Sequence, residues 1–185
     1  MNKLFHNKRW VSLFSQTGTE IVSLAKYYNR FPDTIITSNA DMSKWNVDIP
    51  RDKVIIIDRK NTKNSYVLKK YFDTSAIITL HGWLHIIPKD ICEDFCIYNG
   101  HPGYIVDYPE LKGKDPQDWV WRNFDLYDKI GSVVHRVTPI VDDGEIISSS
   151  YVLRKSCCWE NMFSMYDKLK ATSLQAWIKA FSIIQ

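Results

Sequence analysis

Short apolar segments with little polar alternation recur along the first hundred residues, and they constrain the fold more than any other feature. They occupy 10–15, 34–39, 53–58, 75–80 and 94–99. Strands of a parallel sheet have this pattern because helices cover both of their faces. Between them, apolar residues recur with helical spacing after a glycine turn in which Thr17 or Thr19 is the expected N-cap, and a weaker helix is predicted around 64–72. This alternation predicts an α/β fold with a doubly wound, mostly parallel sheet.

The rest of the chain has a different pattern. A proline-containing loop over 103–116 precedes a predicted helix at 117–123. Two β-prone segments, 131–138 and 145–152, are joined by a turn that contains Asp142, Asp143 and Gly144, which predicts a C-terminal β-hairpin. A helix with an apolar stripe is predicted from about residue 159 to 183. The 185 residues contain no repeat, low-complexity tract or linker, so we expect residues 1–185 to form a single domain.

The charge and the termini exclude several classes of function. The net charge is only +3, and no run of lysine and arginine exceeds two residues, so we expect no nucleic-acid partner. The polar N-terminus does not fit a signal peptide, and no apolar run approaches the roughly 20 residues that span a bilayer. We therefore expect a cytoplasmic protein without a membrane partner. The seven tryptophans and ten tyrosines are more than the core needs, which indicates that some of them line a pocket or a protein interface. If they form an interface, the partner could be a second copy of the chain.

The four cysteines do not have the spacing of a metal or redox site. Cys92 and Cys96 are separated by three residues, and Cys157 and Cys158 are adjacent. Small buried thiols in a reducing compartment are the expected interpretation. No histidine, cysteine and carboxylate cluster has metal-ligand spacing either, so we predict that the protein binds no metal.

Polar residues after the predicted strands are the candidate site, because ligands bind beyond the carboxyl ends of parallel strands. Three segments lie there: 15–20, 81–88 and 98–103. Asn99 and His101 are two residues apart at a strand end, so their side chains face the same way. An asparagine can donate to a carbonyl oxygen, and a histidine can carry a proton near neutral pH. A strand-end turn in which both merely satisfy backbone groups is the alternative. His81 and His135 lie within strands, where hydrogen-bonded core or rim histidines are the more common case.

Several of these segments together resemble the folate-dependent formyltransferase family. The similar segments are an N-x-H-P sequence at 99–102, the strand-end segment 82–88, a D-x-G turn at 142–144, the loop 108–116 and the strand 131–135. The resemblance covers about residues 75 to 150. It is weaker at 15–20, which corresponds to a more glycine-rich loop. It implies a Rossmann-like formyltransferase core.

The resemblance also implies roles for particular residues. The catalytic trio would be Asn99, His101 and Asp142, with Asp142 preferred to Asp143 because one residue separates the motif's aspartate from its glycine. Asn99 would hold an oxyanion, His101 would stabilise charge and move a proton, and Asp142 would orient His101 and favour its protonated form. The pocket for 10-formyltetrahydrofolate, the formyl donor, would be formed by Trp83, Leu84, His85, Ile86, Ile87, Val141 and Asp142.

The acceptor site that the resemblance implies is less regular in this sequence. It would include Thr17, Gly18, Thr19 and Tyr104. Relatives that use phosphorylated substrates bind the phosphate at a glycine-rich turn. Gln16 and Glu20 depart from that pattern, which favours an uncharged or sugar-like amine. His85 also departs from the basic residue common at its position.

Four functions fit these observations to different degrees. The leading hypothesis is formyl transfer from 10-formyltetrahydrofolate to a small amine, either a nucleotide or an amino sugar. Transfer to initiator tRNA is not expected, because the chain ends soon after the core. Hydrolysis of the same donor would use the same trio. A non-catalytic folate- or nucleotide-binding domain would not need the trio, and a nicotinamide-binding domain lacks its G-x-G-x-x-G sequence.

Overall fold

The computed structural model describes residues 8–156, 159 and 161–184. Within them the strands are β1 (Trp10–Phe14), β2 (Thr34–Thr37), β3 (Val54–Ile56), β4 (Ile77–His81), β5 (Ile97–His101), β6 (Lys129–Arg136) and β7 (Ile146–Leu153). The α-helices are α1 (Thr19–Tyr28), α2 (Ser65–Lys69), α3 (Lys89–Asp94), α4 (Pro116–Arg122) and α5 (Met162–Ile183), and short 3₁₀ turns lie in the connections.

The strands form one sheet in the order β3-β2-β1-β4-β5-β6-β7. Strands β1 to β5 are parallel, whereas β6 pairs antiparallel with β5, and β7 antiparallel with β6. The chain order reverses direction across the sheet between β1 and β4, and at such a switch point the loops after the strands separate and leave a crevice. Ser15, Gly82 and Pro102 follow β1, β4 and β5 directly and lie at this edge. The topology therefore places the three predicted segments together.

Apolar side chains cover both faces of the sheet, which explains why the parallel strands lack alternation. Val11 and Leu13 of β1 pack on one face with residues of α2 and α3. On the other face Trp10 packs with Leu24 of α1 and with Trp177 and Phe181 of α5. The Trp10 and Phe181 rings meet edge to face, with centroids 5.4 Å apart. Because α5 covers β6 and β7 as well, the C-terminal helix fixes the hairpin against the parallel part of the sheet.

The predicted fold class is confirmed, and the main differences concern helix starts and one thiol. Helix α1 begins at Thr19 with Gly18 as its N-cap at φ 70°, a left-handed conformation that favours glycine, so neither threonine is the N-cap. The Thr17 hydroxyl instead accepts the Thr19 N–H. Helix α2 covers only Ser65–Lys69 and is therefore shorter than the predicted segment 64–72. Asn64 caps its first turn, and Lys70 is its C-cap.

The predicted buried thiols are confirmed in part. Cys92 is buried, but Cys96 is exposed, where an Arg136 guanidinium N–H contacts its sulfur at 3.0 Å. Cys157 and Cys158 lie outside the described residues. In the part of the chain that the structure describes, no group of three or more histidine, cysteine or acidic side chains is arranged to hold a metal ion. No helix in that part is long and apolar enough to cross a bilayer.

Candidate active site

The end of β5 presents the two polar side chains that its alternation predicts on one face. Asn99 and His101 both point to the side of the sheet opposite α5, because they are two residues apart in the strand. The antiparallel pairing of β5 with β6 sets His135 directly opposite Asn99. The Asn99 Nδ2 and His135 Nε2 atoms are 3.2 Å apart. An amide and two imidazoles therefore lie together where the parallel strands end.

The loop after β6 adds a carboxylate between the two imidazoles. Asp142 has φ 51°, a left-handed conformation that asparagine and aspartate tolerate better than most residues, and only 9% of its surface is exposed. Its Oδ2 atom lies 3.2 Å from His101 Nδ1, and its Oδ1 atom lies 3.2 Å from His135 Nε2. The Gly113 N–H donates to Oδ2 at 2.9 Å. The structure thus brings Asn99, His101 and Asp142 together.

The residues around the turn show that Asp142, and not Asp143, faces inward. A Cβ atom on Gly144 would lie 1.8 Å from the Arg136 carbonyl oxygen, so the turn must return to β7 through a glycine. Asp143 lies on the outer side, 49% exposed, and forms an ion pair with Lys112 at 2.5 Å. The two aspartates of the turn therefore have opposite environments, one in the site and one at the surface.

The hydrogen bonds of His101 give its ring a capacity to hold an extra proton. Nε2 lies 2.8 Å from the Leu111 carbonyl oxygen, which can only accept, and Nδ1 faces the Asp142 carboxylate. A neutral ring has one N–H and can donate to only one of these two acceptors. The imidazolium donates to both. The geometry therefore favours the protonated ring, while the burial of the side chain disfavours its charge.

Burial is the larger of these effects. It lowers the pKa of His101 below its ordinary value of 6.5, although the Asp142 carboxylate and the Leu111 carbonyl act in the opposite direction. Asp142 thus favours the protonated form of His101, as expected from this pair of residues. The pKa of His101 nevertheless falls, because its ring is desolvated. Burial raises the pKa of Asp142, but the His135 hydrogen bond, the His101 charge and the Gly113 N–H outweigh it and lower that pKa.

The two histidines that the sequence assigned to the core or rim have different surroundings. His81 is buried and bonded to Glu20 and Thr79, as a core histidine would be. His135 is buried and hydrogen-bonded as well, with Nδ1 donating to the Arg136 carbonyl at 2.9 Å, but it contacts Asn99 and Asp142 and lines the cavity.

These residues lie in the wall of a cavity of about 670 Å³. The predicted pterin residues Trp83, Leu84, His85, Ile86, Ile87 and Val141 all line it. Trp83 and Ile87 are buried, whereas Leu84 and Ile86 are exposed at 68% and 53%. Exposed aliphatic side chains beside buried ones are typical of a ligand pocket.

Two polar atoms in the cavity-lining residues are buried without a hydrogen-bond partner among the described residues. They are Trp83 Nε1 and Gln117 Oε1. An unpaired buried polar atom costs about 1–3 kcal/mol. Because both atoms are themselves buried, their side chains would have to move before a bound molecule could supply the missing partner.

The predicted acceptor residues lie elsewhere. Thr17, Gly18 and Thr19 do not line the cavity, although the adjacent Gln16 does. The two threonine hydroxyls bond each other at 2.9 Å. Tyr104 is also outside the cavity, buried against the Tyr151 ring with centroids 5.0 Å apart.

Sequence reasoning missed a second group of cavity residues, Gly113, Lys114, Asp115, Pro116 and Gln117. They come from the end of the loop 108–116, which the sequence linked to the family without assigning it to the site, and from the first residues of α4.

His85 contacts the strand-end residues rather than a charged group. Its Nε2 atom lies 2.8 Å from the Ser38 hydroxyl, which in turn contacts the Ser15 hydroxyl at 3.1 Å. Burial, together with the positive charges of Arg59 and Lys63, lowers the pKa of His85. A neutral ring at this position behaves differently from the basic residue expected there.

Comparison with known proteins gives structural but not sequence matches. No protein-family model and no curated protein sequence matches the chain. Phosphoribosylglycinamide formyltransferase from Anaplasma phagocytophilum matches with a TM-score of 0.78 and 22% identity, over 96% of this chain and 86% of that one. Formyltetrahydrofolate deformylase from Pseudomonas syringae matches with 0.68 and 18%, over 95% and 62%. A sugar N-formyltransferase from Shewanella matches with 0.66 and 17%, over 96% and 72%.

These three enzymes differ in the activity that their names state, yet each covers nearly the whole of this chain. At identities of 22% and below, the likeness concerns the fold. The resemblance that the sequence motifs indicated is confirmed at that level. The chain has the α/β fold of the folate-dependent formyltransferases.

Proposed function

We propose that the protein transfers a formyl group from 10-formyltetrahydrofolate to the amine of a small acceptor. The observation that carries this proposal is the Asp142 carboxylate, held between His101 and His135 beside Asn99 in an apolar cavity. An amide donor, a protonatable ring and a carboxylate are the groups that acyl transfer to an amine requires.

The reaction would proceed through a tetrahedral intermediate. The acceptor nitrogen attacks the formyl carbon, and the carbonyl oxygen becomes an oxyanion. Asn99 donates to that oxygen, a contact worth about 2.7–4 kcal/mol in comparable oxyanion holes. When His101 is protonated, its imidazolium stabilises the same charge, and its two N–H groups donate to Asp142 and the Leu111 carbonyl. The carbon–nitrogen bond to the folate then breaks, and the proton lost by the amine ends on the folate nitrogen, which leaves a formamide and tetrahydrofolate.

The cavity suits the donor in size and chemistry. Its volume of about 670 Å³ lies within the range of about 300–1,000 Å³ for small-molecule sites. Aliphatic residues on either side, Ile86 and Val141 among them, provide faces for a flat heterocycle.

For the acceptor we propose a nucleotide or an amino sugar. The two formyltransferases among the matching structures have names that state a phosphoribosylglycinamide and a sugar as acceptors. Lys114 and Asp115 lie in the cavity wall with opposite charges, and Gln16 and Gln117 are neutral and polar. Of the two, an amino sugar fits this composition better, because it forms hydrogen bonds without the charge of a phosphate.

Hydrolysis of the donor is the second candidate, and the deformylase match favours it. Water would replace the amine at the same formyl carbon, and the same three residues would serve. The two functions differ in whether tetrahydrofolate is released without any amine.

A direct experiment measures tetrahydrofolate release from 10-formyltetrahydrofolate with a panel of phosphorylated and unphosphorylated amines, and without amine. Release that depends on one class of amine supports transfer. Equal release without amine identifies a hydrolase. His101→Ala and Asn99→Ala, each expected to lower turnover by at least about 100-fold, are the controls for the site. Normal turnover in either variant contradicts the mechanism.

Donor binding is tested separately from turnover. At a 100-fold excess over Kd, 5-formyltetrahydrofolate should stabilise the native protein by about 2.7 kcal/mol, which raises Tm by several degrees. Trp83 fluorescence should change at the same time. Nicotinamide dinucleotides should have neither effect. A response to the dinucleotide and none to millimolar folate would overturn the proposed function.

A further inference from the structure

A cluster of polar side chains lies behind the candidate active site, on the opposite face of the sheet. We call Glu20, His81, Ser173 and Trp177 the reverse-face cluster. Glu20 Oε2 contacts His81 Nδ1 at 2.7 Å and accepts the Trp177 indole N–H at 3.0 Å, and Ser173 donates to Oε1. Helix α1, strand β4 and helix α5 therefore meet at one carboxylate.

The cluster continues into the core through further hydrogen bonds. His81 Nε2 lies 2.9 Å from the Thr79 hydroxyl, which also accepts the Trp10 indole N–H at 2.9 Å and contacts Ser12 at 2.8 Å. The side chains of His81, Trp177 and Trp10 are buried. Burial raises the pKa of Glu20, but the hydrogen bonds from His81, Ser173 and Trp177 and the charge of His81 outweigh it and lower that pKa. Glu20 is therefore an anion in the native protein.

The cluster contacts the backbone of the catalytic strand. A Cβ atom on Gly100 would lie 2.5 Å from Trp177 Nε1 and 3.3 Å from Glu20 Oε2. Only a glycine allows this approach. His81 also pairs with Gly100 in the register of β4 and β5. The cluster thus supports β5 from behind, at the residue between Asn99 and His101.

We propose that Glu20 is a positioning residue, which fixes Gly100 and thereby sets the two catalytic side chains on either side of it. Successive side chains of a strand point to opposite faces, so a shift of Gly100 on the reverse face moves Asn99 and His101 on the active face. A displacement of about 1 Å can lower catalysis by about 100-fold. This inference rests on the proposed function for its effect on turnover.

The alternative is that the cluster only stabilises the fold. Two substitutions of Glu20 separate the two roles. In Glu20→Gln the amide oxygen can still accept from His81 and Trp177, while the amide NH₂ can donate to the Ser173 hydroxyl. In Glu20→Leu these hydrogen bonds are lost and the donors are left unpaired.

A matched pair of tryptophan variants supplies the control. Trp177→Phe removes the indole N–H that contacts both Glu20 and Gly100. Trp10→Phe removes an equally buried indole N–H, but that group bonds Thr79. Both changes shorten a buried tryptophan and remove the hydrogen bond of its indole N–H. They differ in what that N–H meets, which is Glu20 beside Gly100 for Trp177 and Thr79 for Trp10.

The experiment measures kcat, folate KM and the free energy of unfolding for the full chain and the four variants. We expect Glu20→Leu and Trp177→Phe to lower kcat by about 10- to 100-fold with folate KM within about twofold. Glu20→Gln and Trp10→Phe should keep kcat within about threefold. Unchanged kcat in Glu20→Leu or Trp177→Phe, or an equal loss in Trp10→Phe, would overturn the proposal.

A readout without turnover keeps the inference separate from the proposed function. In ¹⁵N-labelled protein the Asn99 amide and His101 ring resonances should shift in Trp177→Phe and stay in place in Trp10→Phe. If the wild-type protein transfers and hydrolyses no formyl group, the proposed function fails, and these resonances still decide whether the cluster positions the two side chains. If Glu20→Leu does not fold, the tryptophan pair gives the answer. Unshifted resonances in Trp177→Phe contradict it.

Discussion

Exchanging Asp142 for asparagine places an amide NH₂ where a carboxylate oxygen now lies between two imidazoles. The carboxylate faces His101 Nδ1 and His135 Nε2 at 3.2 Å each and accepts the Gly113 N–H. In Asp142→Asn the NH₂ group must face either His101 and Gly113 or His135. A hydrogen bond to a charged partner contributes about 1.5–3 kcal/mol, so losing the His101 contact should lower turnover by about 10- to 150-fold.

The matched control is Asp143→Asn. Asp143 is half-exposed and pairs with Lys112 at the surface. Such a pair is worth about 0–1 kcal/mol, and turnover should stay within a factor of about five. Steady-state release of tetrahydrofolate over a range of pH measures both variants. Because the Asp142 charge raises the pKa of His101, its removal should move the alkaline limb of the profile to lower pH. Equal losses in the two variants, or an unmoved limb, would refute the assignment of Asp142.

Three further predictions follow from the same contacts. Trp83→Phe shortens a buried side chain in the cavity wall, so folate affinity measured by calorimetry should weaken by about two- to tenfold. Equal affinity would show that the Trp83 ring does not meet the ligand. His135→Phe should lower kcat by at least about tenfold, since it removes a ring that contacts both Asn99 and Asp142, and wild-type kcat would contradict that role. The pKa values of His101 and Asp142 are both lower in the folded protein than their unfolded values, which are 6.5 for His101 and 3.8 for Asp142. Each residue therefore contributes stability above its unfolded pKa, and this stability is lost as the pH falls through its folded pKa. Urea titrations below pH 6.5 should show a smaller loss of stability in His101→Gln than in the wild type.

The sequence was sufficient for the fold because the central parallel strands β1, β2 and β4 are buried on both faces. Their uninterrupted apolar runs distinguish them from the alternating strands of a half-exposed sheet. Asn99 and His101 could be placed together for a similarly local reason, since two residues separate them in one strand. Asp142 needed the motif, because an Asp-Asp-Gly turn by itself indicates no more than a change of direction.

His135 could not be assigned in the same way. It reaches the site through the antiparallel register of β5 and β6, which sets it opposite Asn99. Register depends on the pairing of distant segments, and the sequence of one strand does not specify it. The downward pKa shift of His101 has a similar origin, because burial of its ring in the fold outweighs the nearby carboxylate. The position of His135 and the pKa of His101 both depend on tertiary contacts, whereas the spacing of a motif gives only local geometry.

The change from parallel to antiparallel pairing at β5 explains how one small sheet assembles the site. A parallel neighbour would bring only its carboxyl end to the crevice, and its connection would leave at once toward a helix. The antiparallel β6 instead runs away from the crevice past β5, so that its residue His135 lies beside Asn99 and the loop after it returns Asp142 to His101. The connection to β7 is therefore free to supply part of the cavity wall, Val137 to Asp142, opposite the segment after β4. The same strand β5 is held from the other face by Glu20 and Trp177 at Gly100. Its terminal residues thus have neighbours on every side, and this is the condition for holding catalytic groups at fixed distances before the substrate binds.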